Sequence, residues 1–380
     1  MRLCATDHLP HAPSENKEAT AEFVATVLEP FWRTTIIREP VFFFEGRGVD
    51  RPTSKLLFKP TEVVAVNSGA RDQTFEAGKD YIIDSANGLI SLPPGSRIPV
   101  TTYEHLYPLM NSHLPKIARK SGDRTRGIFF DEGSVYHRLQ TEVTYRYAPG
   151  QWRGRKPKYA GDVLPKTVAK LNNKQPVKLV LCGDSISLGS NASQWTKSPP
   201  GCPPFGELVA LALQKRFGSE VTLVNEAVDG STSSNGLKQA KAGRIGELAP
   251  DLVIIAFGMN DVYYQHDVSK YKSNIREMIE RVRADAPGTE FILVAPMLAN
   301  AERGIPLDKF WQYRDALSTL RSPGVALADI TSIWNELLKR KSFYDLTGNG
   351  VNHPNDFGHC IYAETLLALL VDMPPEDGRD

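Results

Sequence analysis

A serine hydroxyl at the end of a strand can act as a nucleophile if a base takes its proton and preplaced donors receive the negative charge its attack creates. The stretch LVLCGDSISLG, residues 179–189, offers that arrangement: the apolar run Leu179 to Cys182 stops at Gly183, and Asp184 and Ser185 follow. Three later stretches carry matching groups. EAVDGSTSS (226–234) puts Gly230 in a loop after an apolar run, and GMND (258–261) puts Asn260 just beyond Gly258. GNGVNHPNDFGH (348–359) puts His353 in a Gly/Asn/Pro loop ahead of the last helical segment. An imidazole can accept the serine proton, while backbone N–H groups and an uncharged side-chain amide can stabilise an oxyanion. Taken singly, each residue also has a plainer reading. Ser185 can be a helix cap, Gly230 a turn residue, Asn260 a cap beside a structural Asp261, and His353 a surface histidine. His359 falls in the expected last helix and reads as a packing residue.

For such groups to meet, the chain must bring the ends of several strands together. From residue 177 onward it alternates between the two periodicities. VKLVLC, VTLVN, DLVIIAFG, EFILVAPM and GVALADI are apolar runs suited to strands covered on both faces. Helical stretches are expected over 205–217, about 234–248, 268–285, 307–320 and 357–371. In YKSNIREMIERVRADAP, Ile275, Met278, Ile279 and Val282 recur at helical spacing, and Pro287 follows the end. This alternation predicts a parallel sheet with helices on both sides, whose ligands bind beyond the carboxyl ends of the strands. The four polar stretches sit at positions of that kind.

Residues 30–150 read differently. SVYHRLQTEVTYRY (134–147) alternates, with Val135, His137, Leu139, Thr141, Val143 and Tyr145 on one expected face and Tyr136, Arg138, Gln140, Glu142, Thr144 and Arg146 on the other. Upstream, VFFF (41–44), SKLLF (54–58), EVVAV (62–66), DYIID (80–84) and GLISL (88–92) are short and strand-like, with an Asn87-Gly88 turn signal. The pattern predicts an all-β, jelly-roll-like sandwich domain over 30–150, with residues 93–133 as a long excursion. Residues 1–29 are expected to be a flexible N-terminal segment. Residues 151–176, with Arg153, Arg155, Lys156 and Lys158 close together, are expected to be a solvated linker, and 177–380 the catalytic domain.

Composition narrows the function classes. A hydrophobic share of 41% and a charged share of 23% are those of an ordinary globular protein, and 380 residues suggest two domains. A formal net charge of +1 provides no overall field to attract nucleic acid or an anionic membrane, and no apolar run approaches a membrane span. The opening MRLCATDHLPHAPSENKEAT lacks the apolar core of a secretory signal, so the expectation is a cytoplasmic protein or a processed secreted form. Cys4, Cys182, Cys202 and Cys360 form no C-x-x-C pair, and the HLPH run at 8–11 lies in an expectedly loose terminus. No G-x-S-x-G, no phosphate-cradling G-x-x-x-x-G-K-[ST], no dinucleotide-binding G-x-G-x-x-G after a strand and no H-E-x-x-H occurs.

The order Gly-Asp-Ser, loop Gly, Gly-x-Asn-Asp and late His-Pro resembles the SGNH/GDSL hydrolase superfamily, over roughly residues 177–372. The resemblance implies a three-layer α/β/α, flavodoxin-like fold and the chemistry of a serine esterase. Carried over, it makes Ser185 the nucleophile and His353 the base. The amide of Ser185, the amide of Gly230 and the side chain of Asn260 become the oxyanion donors. No metal or organic cofactor is implied. One position departs from the family pattern: where an Asp usually precedes the His by three residues, this chain has Gly350. The alternatives are a Ser–His dyad oriented by a backbone carbonyl, or another acid, with Asp345 and Asp356 as candidates. A β-sandwich ahead of such a domain is similar to two-domain carbohydrate esterases, which implies O-acetyl groups on carbohydrate as substrate. Trp195, Tyr263 and Tyr264 could then stack on sugar or simply pack. A general short-chain esterase or thioesterase, and a carbohydrate-binding protein that has lost catalysis, are the alternatives.

Overall fold

The apolar runs after residue 177 pair as five parallel strands in the order Val221–Asn225, Val177–Gly183, Leu252–Ala256, Glu290–Val294, Val325–Ala328. Their Val, Ile and Leu side chains suit a sheet covered on both faces, and every residue of Glu290–Val294 is buried. The structure, a computed structural model, describes residues 17–46, 48 and 51–373. The helices between the strands run over Phe205–Phe217, Ser233–Lys241, Val268–Asp285 and Leu307–Ser318, with Asp356–Leu370 closing the sheet layer. They gather into two groups: Phe205–Phe217 packs with Asp356–Leu370, and Ser233–Lys241 packs with Val268–Asp285, which meets Leu307–Ser318. The second strand lies on one side of the first and the third on the other. The loops leaving the first and third strands therefore diverge, opening a crevice at the carboxyl edge.

The N-terminal half departs from expectation in several ways. Its largest sheet has three antiparallel strands, in the order Thr35–Phe42, Gln140–Tyr147, Pro60–Ser68. Smaller pairings surround it, including Ile82–Asp84 with Leu89–Ser91 across the turn that holds Asn87 and Gly88. Strands are present as expected, but their apolar residues join a core shared with the α/β half. Ile36, Val41, Val66, Val143 and Tyr145 belong to the same buried cluster as Leu179, Ile254 and Ile361. Residues 135–139, expected as strand, make a helix. There Tyr136 and His137, adjacent in sequence, are both buried, whereas alternation would put them on opposite faces. The Tyr136 hydroxyl donates to the Phe129 carbonyl at 2.7 Å, and His137 Nε2 donates to the Pro199 carbonyl at 2.7 Å.

The segments expected to be loose are also built in. Lys17–Val27 is a helix whose Phe23, Val24 and Val27 are buried against Phe205–Phe217 and Asp356–Leu370. Residues 1–16, with Cys4 and the HLPH run, lie outside the described residues. The expected linker buries Trp152 and forms the helix Pro165–Asn172, and its Arg155 pairs with Asp329 at 3.5 Å. A fully buried ion pair crosses between the halves: Lys341 Nζ lies 2.7 Å from Glu39 Oε1. Removing one partner of such a pair typically costs about 3–5 kcal/mol, because the other charge is left buried and unpaired. Cys182, Cys202 and Cys360 are buried free thiols. Among the described residues no group of His, Cys, Asp and Glu is arranged to hold a metal ion, and no helix is long and apolar enough to cross a membrane.

All 15 residues of the last helix, Asp356–Leu370, are buried, which requires a helix apolar nearly all round. Its one acid, within this run after Asp356, is Glu364, which accepts the Phe31 N–H at 3.1 Å. Burial pushes the Glu364 carboxyl well above its ordinary range, so the fold holds a proton that the unfolded chain releases. The stability this group contributes is full below the unfolded carboxyl value and falls as pH rises toward the folded one. Glu364→Gln keeps an acceptor and removes the titration. Thermal scans should show the variant melting about 2 °C or more above the wild type near pH 8, with the gap closing near pH 4; a gap independent of pH would contradict the assignment.

Candidate active site

Asp184 caps the short helix Ser185–Leu188 by accepting the Ile186 N–H at 3.0 Å. The cap is therefore the aspartate, and Ser185 is left as the first helical residue, 4% exposed, just past the carboxyl end of the strand Val177–Gly183. Burial pushes the Asp184 carboxyl up to about 7, against the opposing pull of the Ile186 hydrogen bond and the neighbouring imidazole. Ser185 Oγ lies 2.9 Å from His353 Nε2, the distance of a direct hydrogen bond. The backbone at His353 is set by one amide oxygen: Asn349 Oδ1 accepts the N–H groups of Val351, Asn352 and His353 at 2.9, 3.0 and 3.2 Å.

The other imidazole nitrogen meets an acid that neither candidate from the sequence supplies. His353 Nδ1 lies 2.8 Å from Glu132 Oε2 and 3.1 Å from Asn191 Oδ1. Glu132 belongs to the N-terminal half, in the loop between the strand Gly127–Phe129 and the helix Val135–Leu139. Partial burial opposes its ionisation, but the hydrogen bond and charge of His353 and the Asn349 amide outweigh that and hold its carboxyl below the ordinary value. Asp345 does not reach the histidine. Its Oδ2 closes a capping box with Ser342, and its Oδ1 accepts the Phe42 N–H at 2.9 Å. Asp356 Oδ1 accepts the Ser193 N–H at 2.7 Å. Both carboxylates are already engaged by backbone donors, which settles them away from the imidazole.

The glycine at 350 has a physical cause as well. Its φ is +73°, and a Cβ there would stand 2.4 Å from the Tyr136 hydroxyl. The place where the family pattern carries an Asp is thus occupied by a tyrosine from the N-terminal half.

Gly230 and Asn260 follow the strands on either side of Val177–Gly183. Gly230 is exposed with φ +66° and has nothing within 4 Å of a would-be Cβ, so its backbone angle, and no crowding, calls for glycine. The amide hydrogens of Ser185 and Gly230 have no acceptor among the described residues. Asn260 Nδ2 donates one hydrogen to the Ser231 carbonyl at 3.0 Å, which ties it to the Gly230 loop and leaves its second hydrogen available. Asp261, fully buried, accepts from the Ser233 amide and hydroxyl and lies 3.0 Å from His266 Nδ1, a structural arrangement. His359 is a packing residue: it stacks on Phe205, and burial pulls its pKa down to about 4. Trp195 is half-buried, whereas Tyr263 and Tyr264 are 51% and 60% exposed.

The structure thus brings Ser185 and His353 into contact, and sets Gly230 and Asn260 side by side on the neighbouring loops. Glu132, Asn191 and Asn349 were missed from the sequence. Glu132 is one of 44 acidic residues and sits in the excursion of 93–133, where no local pattern separates it from the others. Chemically, a hydroxyl, an imidazole and a carboxylate in hydrogen-bonded series suit acyl transfer.

Because Tyr136 fills the space, Gly350→Asp should not recreate the usual acid. It is expected to destabilise the fold by about 1–3 kcal/mol, from the left-handed backbone and the clash. Denaturant unfolding measures this, and an unchanged midpoint would refute it.

Residues 181–361 match the GDSL-like Lipase/Acylhydrolase family. An arylesterase of Vibrio mimicus is 31% identical over 106 residues, which are 28% of this chain and 48% of that protein, so the match spans about half of the relative. Among solved structures, a two-domain esterase active on acetylated mannans aligns with a TM-score of 0.45 at 21% identity, covering 56% of this chain and 53% of the other. An acetylxylan esterase from Geobacillus stearothermophilus aligns with a TM-score of 0.41 at 22% identity, covering 50% of this chain and 92% of the other.

Proposed function

We propose that the protein is a serine esterase that hydrolyses short-chain acyl esters, with O-acetyl groups on carbohydrate as the substrate class. The observation that carries this reading is the series Ser185 Oγ, His353 Nε2, His353 Nδ1, Glu132 Oε2, with contacts of 2.9 and 2.8 Å. Ser185 Oγ attacks the ester carbonyl carbon as His353 Nε2 takes its proton. The oxyanion is received by the amides of Ser185 and Gly230 and by the free Asn260 Nδ2 hydrogen. Collapse breaks the bond to the leaving alcohol, which receives the proton from His353 and departs, leaving an acyl-serine. Water then attacks the acyl group, His353 taking and returning a proton in the same way, and the free acid leaves. Glu132 stabilises the imidazolium formed in each half-reaction.

With a carboxylate at His353 Nδ1, the glycine at position 350 no longer argues for a lapsed site. Hydrolysis of p-nitrophenyl acetate tests the chemistry. Ser185→Ala should lower kcat by about 10⁴-fold or more, and an inactive wild type or an unaffected variant would overturn the reading.

The carbohydrate part rests on the helix Met259–Tyr263 and the residue after it. Asn260, Tyr263 and Tyr264 are spaced i, i+3 and i+4 and so share one face, while Met259, Asp261 and Val262 are buried. The two tyrosines stand edge to face with ring centroids 5.2 Å apart. Such exposed aromatic faces beside the Asn260 amide suit the C–H surface of a sugar ring. Replacing both tyrosines with Ala should raise KM for acetylated xylan and mannan oligosaccharides about tenfold, a difference of ~1.4 kcal/mol, and leave KM for p-nitrophenyl acetate nearly unchanged. Equal changes for both substrates would favour a general short-chain esterase.

A further inference from the structure

We infer that Asn191 is a positioning residue: it fixes which nitrogen of His353 carries the proton and holds the Glu132 loop against the imidazole. This rests on the reading of Ser185 and His353 as nucleophile and base.

Asn191 is buried and has φ +64°, a left-handed conformation that Asn tolerates better than most residues. Its Nδ2 lies 3.2, 3.3 and 3.4 Å from the carbonyl oxygens of Glu132, Gly133 and Gly348. Carbonyls only accept, so this end of the amide must be the NH₂ and the other end the oxygen. That oxygen, 3.1 Å from His353 Nδ1, also only accepts. The hydrogen of the neutral imidazole therefore sits on Nδ1, and Nε2 presents its lone pair to the Ser185 hydroxyl. Gly348 packs closely on Asn191: a Cβ on the glycine would stand 2.5 Å from the Asn191 Cβ.

Glu132 makes the same demand on Nδ1, but its side chain is 46% exposed, and two of the carbonyls that Asn191 holds belong to its own loop. The two residues thus divide the task. Asn191 sets the tautomer and holds the loop, and Glu132 adds the charge that favours the imidazolium. The dependence is unequal: Asn191 holds the Glu132 backbone, the Glu132 carboxylate also accepts from Asn349 Nδ2 at 3.3 Å, and Asn191 is held at Gly348 as well.

The test uses the full chain with ¹⁵N-labelled histidine. Long-range ¹H–¹⁵N spectra report the tautomer, with the His353 signals identified by their loss in His353→Gln. In Glu132→Ala the Nδ1–H tautomer should persist while kcat falls about tenfold. Asn191→Gly suits the left-handed backbone and should stay folded. Its kcat should fall about 100-fold with KM nearly constant, and adding Glu132→Ala should change it by less than about twofold. The double variant should show mixed tautomers. Asn191→Asp is the second variant, should the glycine form melt early. It keeps an acceptor for Nδ1 and loses the donations to the loop, so it should hold the tautomer yet make Glu132→Ala equally silent. Loss of the Nδ1–H tautomer in Glu132→Ala, near-wild-type kcat in Asn191→Gly, or full multiplication of the two effects would overturn the inference. An inactive wild type with the expected tautomers would instead sink the esterase reading and leave the placement of the His353 proton standing.

Discussion

His353 sits in a loop with little regular structure, and the hold on that loop is what the rest of the site depends on. Gln140, at the start of an N-terminal strand, donates to the carbonyls of Tyr344 and Thr347 at 2.7 and 3.0 Å. Asn355 answers from the other end of the loop, donating to Gln140 Oε1 at 3.0 Å and to the Asp345 carbonyl at 2.8 Å. Asn300 donates to the Gly350 carbonyl at 2.9 Å. A hydrogen bond of this kind contributes only about 0.5–1.5 kcal/mol net, but a buried partner left unpaired costs more, so the network selects one loop conformation. Asn349 then turns the backbone so that the imidazole faces Ser185.

The N-terminal half is therefore a structural part of the site. It covers the last helix, contributes Gln140 and Tyr136 to the histidine loop, and brings Glu132 to the imidazole. The shared core and the Glu39–Lys341 pair bind it to the α/β sheet with more than surface contact. The shared core couples the halves, and Glu132 ties the N-terminal half to the Ser185–His353 pair.

The carboxylate at His353 Nδ1 comes from the other half of the chain. A base histidine needs an acceptor at Nδ1, and a carboxylate there favours the charged imidazolium. Nothing requires that acceptor to come from the same loop. Here Tyr136 occupies the space beside Gly350, and a carboxylate 221 positions earlier in the chain takes the contact.

Local signals were enough to read the α/β half. Apolar runs of four or five residues and helical spacing depend on near neighbours, and the helices expected over 205–217 and 268–285 occupy those residues. The four polar stretches were legible too, because each abuts a strand end or a helix start. Tertiary structure alone decided the rest. Tyr136 and His137 form a helical turn because their partners, Phe129 and Pro199, lie elsewhere in the chain, against the alternation of their own segment. Glu132 and Asn191 meet His353 through contacts spanning 221 and 162 positions. Polar side chains in irregular loops leave no periodic trace, so their pairing arises only when the core has packed and brought the loops together.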